Sequence, residues 1–346
     1  MVDKTYAMSS FLQFRNVYGS NVKFAEGLDY PLKSIVEDVP KILIQTADEL
    51  CVYLEKYVAD ATKDGKAALA LSGGIDSAIL AKFMPRGSTA YTFECVAEGK
   101  QVKNETERAK RYCDENGLIH KIIYVSWQDY LEIAPMLMKR KNAPIHSIEV
   151  QIHKAALQAS EDGFERIIFG DSSDMVFGGL DGLISQDWTI GEFIDRFSCV
   201  LPYKILKDFT VITEPFVKHT VNGMTDAHAF INDIFSIESH DSYVNACESA
   251  GIESLDAYLA LEHNPIDLKR IRSGDTKYVV REAFRKLYPE FELPEKIPML
   301  RAVDEWLEEW EGPKRSEFIE NCHIRLSGNQ KFYVWILERF LDEMGI

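Results

Sequence analysis

The sequence has no run approaching the ~20 uninterrupted apolar residues that a membrane helix needs. Its opening, MVDKTYAMSS, has no apolar signal-peptide core. No CxxC pair occurs among the scattered cysteines Cys51, Cys95, Cys113, Cys199, Cys247 and Cys322. That excludes a zinc ribbon or disulfide scaffold and predicts reduced thiols in a cytoplasmic protein. The sequon-like Asn104-Glu105-Thr106 is then a coincidence. Basic residues are scarce: 39 against 55 acidic ones, a net charge of −16. Nucleic-acid binders show the opposite balance, so a nucleic-acid partner is not expected. Internal repeats and low-complexity tracts are absent. So are the two common phosphate fingerprints, GxxxxGK[ST] and GxGxxG.

What remains is the pattern of a soluble α/β protein, 46% hydrophobic and 27% charged. Residues 8–40 mix aromatics with turn residues and predict an extended arm or small sheet. A helix is expected from Gln45 to Thr62. Strands at Ala67–Leu71, Thr89–Cys95, Ile119–Val125 and Arg166–Phe169 then alternate with helices near Ser77–Met84, Glu105–Asn116, Trp127–Met138 and Glu149–Ser160. Such alternation predicts a doubly wound parallel sheet with helices on both faces. Beyond about Leu183 the strand signal fades and a mostly helical part follows.

Residues 69–80, LALSGGIDSAIL, run from strand to helix through Ser72, Gly73, Gly74, Asp76 and Ser77. Glycines weaken both element types, so packing does not explain them. At a strand end opening a helix, they let an anion approach a concave array of backbone N–H groups, which the helix dipole favours. Ser72 and Ser77 add hydroxyl donors. Asp76 is out of place in an anion nest unless a cation intervenes, which points it at Mg²⁺. The plainer alternative is a sharp turn with Asp76 starting the helix and Ser77 capping it. A second strand end, GDSSDMVFGG at 170–179, carries Asp171 and Asp174 and closes on a glycine pair. In a doubly wound sheet such strand ends line one crevice, so the two motifs can meet.

SGGIDS resembles the SGGxDS pyrophosphate loop of the ATP pyrophosphatases. These include asparagine synthetases, GMP and NAD synthetases and several tRNA-modifying enzymes. GDSSDMVFGG resembles the GDGGDELFGG segment of the asparagine synthetase family. Asp275 to Met299 resembles that family's C-terminal helix KYxLRxAF, in register with Lys277, Arg281 and Phe284. FLQFRNVYG…FAEGLDYP resembles its linker segment. The resemblance implies an adenine nucleotide alpha hydrolase-like core at 63–185. It would be preceded by a linker-like arm and helix at 1–62 and followed by a helical region at 186–346. The helical region would carry the catalytic lysine and the acceptor pocket. The loop Ser72–Ser77 would hold the triphosphate of ATP, with Leu71, Thr92, Phe93 and Gly170 also at the nucleotide. Asp76 and Asp174 would share Mg²⁺. Lys296 falls where the family places its catalytic lysine, with Arg301 in reserve, and Asp171 is the candidate proton acceptor.

Departures are as informative. Val2 follows Met1 where glutamine-dependent members carry a nucleophilic cysteine, so no built-in glutaminase is expected. Ammonia, a separate glutaminase subunit or a substrate amine would supply nitrogen. Ser172 replaces a glycine, Met175 an acid, and Lys218 an acid in the segment TEPFVK. The stretch His219–Leu255 has no counterpart. These changes put aspartate in doubt as the acceptor. His146, Glu149 and His153 read as solvated or capping residues rather than pocket lining. His219, His228 and His240 lack metal-ligand spacing. Trp306, Trp310, Phe318 and Trp335 read as a core stripe.

The expected activity is AMP- and pyrophosphate-forming amide ligation of a small carboxylate, in a possible homo-oligomer. The rivals are a tRNA-modifying adenylase and a nucleotide-binding subunit active only with a partner glutaminase.

Overall fold

A computed structural model describes residues 1–19, 22–29, 40–297 and 299–346. A five-stranded, all-parallel sheet organises the chain. Its order is Ile119–Val125, Thr89–Cys95, Ala67–Ala70, Arg166–Phe169 and Glu253–Asp256. The first strand in sequence lies at the centre, and later strands are added first on one side and then on the other. This is the doubly wound arrangement, and the order reverses between Ala67–Ala70 and Arg166–Phe169. Ligands of such sheets bind outside the carboxyl ends at that point. The central strand is buried along its whole length, which suits its unbroken apolar run AALA.

Each face has its own core. On one side the helices Ala47–Thr62, Ile75–Phe83, Thr106–Asn116 and Tyr278–Leu287 bury Leu50, Leu54, Ile79, Leu80, Val280 and Phe284. On the other, Trp127–Lys141, Glu149–Glu161, Ser236–Glu248 and Gly328–Met344 pack around Leu137, Ile152 and Leu337. Several helix starts follow from the sequence. Thr46 with Glu49, Ser126 with Asp129 and Ser327 with Gln330 each form a reciprocal capping box, satisfying N–H groups the helix cannot.

Three expectations change. Residues 4–14 form a helix, not an extended arm. Asp3 caps it by accepting from Tyr6 N at 2.9 Å, and Ala7, Met8, Phe11 and Leu12 recur at helical spacing and are fully buried. Residues 20, 21 and 30–39 of the expected arm, and Pro298 of the loop around Lys296, lie outside the described residues. Strands do not end at Leu183: Glu253–Asp256 extends the main sheet, and Trp188–Thr189, Thr220–Val221 and Met224–Thr225 form a small antiparallel sheet.

His146, Glu149 and His153 are buried rather than solvated. Glu149 receives Lys141 Nζ at 2.9 Å, Asn245 Nδ2 at 2.7 Å and the His146 amide at 2.7 Å. Lys141 also meets Asp241 at 3.1 Å. Buried charges persist where partners satisfy them, and two of these partners, Asn245 and Asp241, come from a helix distant in sequence. The aromatic stripe is core as expected: Trp127 lies 5.8 Å from Trp306 and 4.6 Å from Trp335, ring centre to ring centre. All six cysteines are free thiols. Among the described residues no helix is long and apolar enough to cross a membrane.

Candidate functional site

The two glycine-bearing turns emerge side by side at the reversal point of the sheet. Leu71 still belongs to the sheet, donating to Tyr91 O at 2.8 Å, and its own carbonyl accepts from Thr92 Oγ1 at 2.7 Å. The chain then folds on its serines: Ser72 N donates to Ser77 Oγ, and Gly74 N to Ser72 Oγ, each at 3.0 Å. Gly74 is the N-cap of Ile75–Phe83 and offers no side-chain cap, so the start of this helix faces the cleft without an internal acceptor. The Gly73 amide is bonded to the carboxylate of Glu105, which burial pushes above the usual carboxylate range.

Opposite this turn, four side chains from separate elements converge. Lys277 Nζ lies 2.8 Å from Asp174 Oδ1 and also bonds Asp76 Oδ1. Lys296 Nζ reaches Asp174 Oδ2 at 3.0 Å and bonds the Gly179 carbonyl. Ser173 Oγ donates to Asp76 Oδ1 at 2.6 Å. Burial would raise the Asp174 carboxyl, but the two ammonium groups outweigh it and hold the pKa at about 2. Lys277 sits at the N-cap of Tyr278–Leu287 with φ 50°, a left-handed conformation unusual for a lysine. Gly179 is required by proximity: a Cβ there would fall 2.0 Å from Asp174 Oδ1 and 2.6 Å from Lys277 Cδ.

A second carboxyl pair lies one strand over. Asp171 Oδ2 accepts from Ser239 Oγ at 2.7 Å, and the Tyr243 hydroxyl bonds the same carboxyl. Asp256 ends the edge strand in register with Phe169 and accepts from the amide of Ser172 at 3.1 Å and from its hydroxyl. Burial, then the neighbouring Asp256, pushes Asp171 up to about 8; burial likewise raises Asp256. Two buried carboxyls at such close quarters do not both ionise readily.

One cleft, with about 230 Å³ open to water, joins these groups. Leu71, Ser72, Gly74, Asp76, Ser77, Thr92, Phe93, Gly170, Asp171, Asp174 and Lys296 all line it. Gly73 stands behind Glu105. Lys277, expected only as part of a helix register, is at the centre. Glu105, Arg281 and Tyr243 also line the cleft, while Ser173 and Asp256 support its carboxylates. Ser239, Tyr243 and Asp256 all follow His219, and no motif announced them. Arg301 is not on the cleft wall, whereas Lys296 lines it and reaches Asp174.

The donor set suits a cation such as Mg²⁺, because carboxylates from two loops turn their Oδ1 atoms toward one ammonium. Among the described residues no group of three or more His, Cys, Asp or Glu side chains forms a ready metal cage.

The asparagine synthase family model matches residues 53–231, which include both glycine turns and the strands that carry them. The chain belongs to the asparagine synthase family. It is thereby an ATP-utilising, ligase-type synthetase, built on a doubly wound parallel sheet. No curated protein sequence matches the chain. Among solved structures it is similar to an NH3-dependent NAD synthetase from Campylobacter jejuni in complex with nitrate. Identity there is 15% and the TM-score 0.26, covering 73% of this chain and 100% of that one. It is also similar to an NMN synthetase from Francisella tularensis, at 12% identity and TM-score 0.26, covering 73% and 99%. At such scores neither likeness bears on function.

Proposed function

We propose that the protein is an ATP-dependent amide ligase that activates a small carboxylic acid as its acyl-adenylate and passes the acyl group to ammonia or an amine. The observation that carries this is the convergence of Lys277 and Lys296 on Asp76 and Asp174, facing an uncapped helix start. Two ammonium groups and a row of N–H donors suit a polyphosphate, not a neutral ligand.

The triphosphate lies along Ser72–Ser77, displacing the Glu105 carboxylate from the Gly73 amide. Leu71, Thr92, Phe93 and Gly170 border the adenosine. Asp76 and Asp174 would hold Mg²⁺, which would neutralise phosphate charge. Lys277 exchanges part of its carboxylate contact for the pyrophosphate oxygens. An oxygen of the acid attacks the α-phosphorus, the bond to the bridging oxygen breaks, and pyrophosphate leaves. The amine then attacks the acyl carbon and AMP departs with the C–O bonding pair. Lys296 stabilises the negative charge that develops in both steps. The attacking nitrogen must shed protons, and Asp171 in its ionised form would receive one; with its pKa displaced to about 8, that form grows as pH rises toward and past 8. Nitrogen arrives as free ammonia, from a separate glutaminase subunit, or on an amine substrate.

The first half-reaction is tested by ATP–pyrophosphate exchange over a panel of carboxylic acids. Exchange that depends on one class of acid is expected. ATP turnover to ADP, with no acid supporting exchange, would overturn the proposal.

A further inference from the structure

Glu105 lines the cleft beside the first glycine turn. It is the last residue before the helix Thr106–Asn116, and its side chain makes no cap for that helix. The carboxylate turns instead onto the turn and accepts from the Gly73 amide. A Cβ on Gly73 would fall 2.8 Å from Glu105 Oε1 and 3.1 Å from Arg108 Cδ, so the glycine lets both side chains close on the backbone. Arg108 lies one helical turn on, with Nη1 3.6 Å from Glu105 Oε1. The same Nη1 is 3.3 Å from the Gly73 carbonyl and 3.3 Å from that of Glu295, the neighbour of Lys296.

This seat suits a carboxylate poorly. The Glu105 side chain is 10% exposed, and burial raises its carboxyl by more than Arg108 and the Gly73 amide lower it. An N–H at a strand-to-helix turn and a guanidinium are, however, two donors that phosphate accepts well. Glu105 therefore places one anionic group between the two donors that a phosphate oxygen would use. Arg108 is held by two backbone carbonyls, so its position does not depend on Glu105.

We propose that Arg108 is a phosphate-binding residue of the nucleotide loop and that Glu105 is its built-in competitor, seated there until a polyphosphate replaces it. The inference rests on the reading of Ser72–Ser77 as the polyphosphate loop. Glu105 can swing out to solvent without uncapping the helix it precedes. The Gly73 amide and the guanidinium then pass from one anion to another, and neither is left unpaired. Through the Glu295 carbonyl the same arginine braces the segment that carries Lys296.

The test is a calorimetric titration of the full chain with inorganic pyrophosphate. Glu105→Ala, which empties the seat, should tighten binding about tenfold, the size of one charge-assisted hydrogen bond. Glu105→Gln, which keeps the shape without the charge, should tighten it less. Added to Glu105→Ala, Arg108→Met should weaken binding about tenfold, because the competitor is already gone and only the phosphate contact is lost. Unchanged or weaker binding in both Glu105 variants overturns the proposal. So does an Arg108→Met substitution without effect in the Glu105→Ala background, or no pyrophosphate binding in either the wild type or Glu105→Ala. ATP–pyrophosphate exchange separates this inference from the ligase reading. The expected shifts in pyrophosphate binding, with no acid supporting exchange, keep the Glu105–Arg108 device and sink the ligase reading. Exchange whose KM for pyrophosphate is moved by neither Glu105→Ala nor Arg108→Met sinks the device alone.

Discussion

Lys277 Nζ and Asp174 Oδ1 stand 2.8 Å apart, and the same ammonium also bonds Asp76. One lysine thus neutralises the two carboxylates proposed to hold Mg²⁺. Its side chain is 5% exposed, theirs 24% and 31%. Lys277→Met leaves both acids facing each other and is expected to cost about 2 kcal/mol, less than a fully buried pair because the carboxylates keep some water. Mg²⁺ should restore more melting temperature to the variant than it adds to the wild type. Equal Mg²⁺ shifts in a thermal melt would show that these carboxylates are not the cation site.

Gly179 has no room for a side chain beside Asp174 and Lys277. Gly179→Ala should displace the Asp174 carboxylate, costing about 1–3 kcal/mol of stability. KM for ATP should rise. A folded variant with wild-type stability and an unchanged KM would contradict the tight packing described.

Asp171 gives a stability signature with a definite sign. Its carboxyl is raised from the usual acid range to about 8 by burial and by Asp256. Between those values the folded chain holds a proton that the unfolded chain has released. Its contribution to stability is therefore complete below about pH 4 and is lost as pH rises toward 8. Asp171→Asn, which cannot ionise, should flatten that decline in urea-denaturation midpoints measured across the window. An unchanged slope would mean that Asp171 ionises normally.

Lys296 bears on the chemistry rather than on the fold. Lys296→Met should lower the rate of AMP formation roughly 10²–10³-fold, the usual effect of removing one donor to a developing negative charge. Steady-state assays would read this as a fall in kcat with KM for ATP little changed.

The half of the cleft proposed to take the nucleotide was legible as a structural unit because its signals are local. AALA and RIIF are short apolar runs that end in glycine-bearing turns, and both turns carry their acids in the motif itself. The acceptor side was not. Glu253–Asp256 reads ESLD, too acidic to look like a strand, and only its pairing with Arg166–Phe169 defines it. Ser239 and Tyr243 reach Asp171 from a helix with no recognisable counterpart, so tertiary packing alone brings them there. Lys277 is aimed by a left-handed backbone that a sequence does not display. His146 and Glu149 looked solvated because their partners, Glu238, Asp241 and Asn245, lie about ninety residues on, directly or through Lys141.

The most direct test of the central claim is product analysis with radiolabelled ATP, Mg²⁺, ammonia and an acid that supports exchange. AMP and pyrophosphate in equal amounts, together with one amide per AMP, is the predicted result, falling away in Lys296→Met. Steady formation of ADP and phosphate would contradict it.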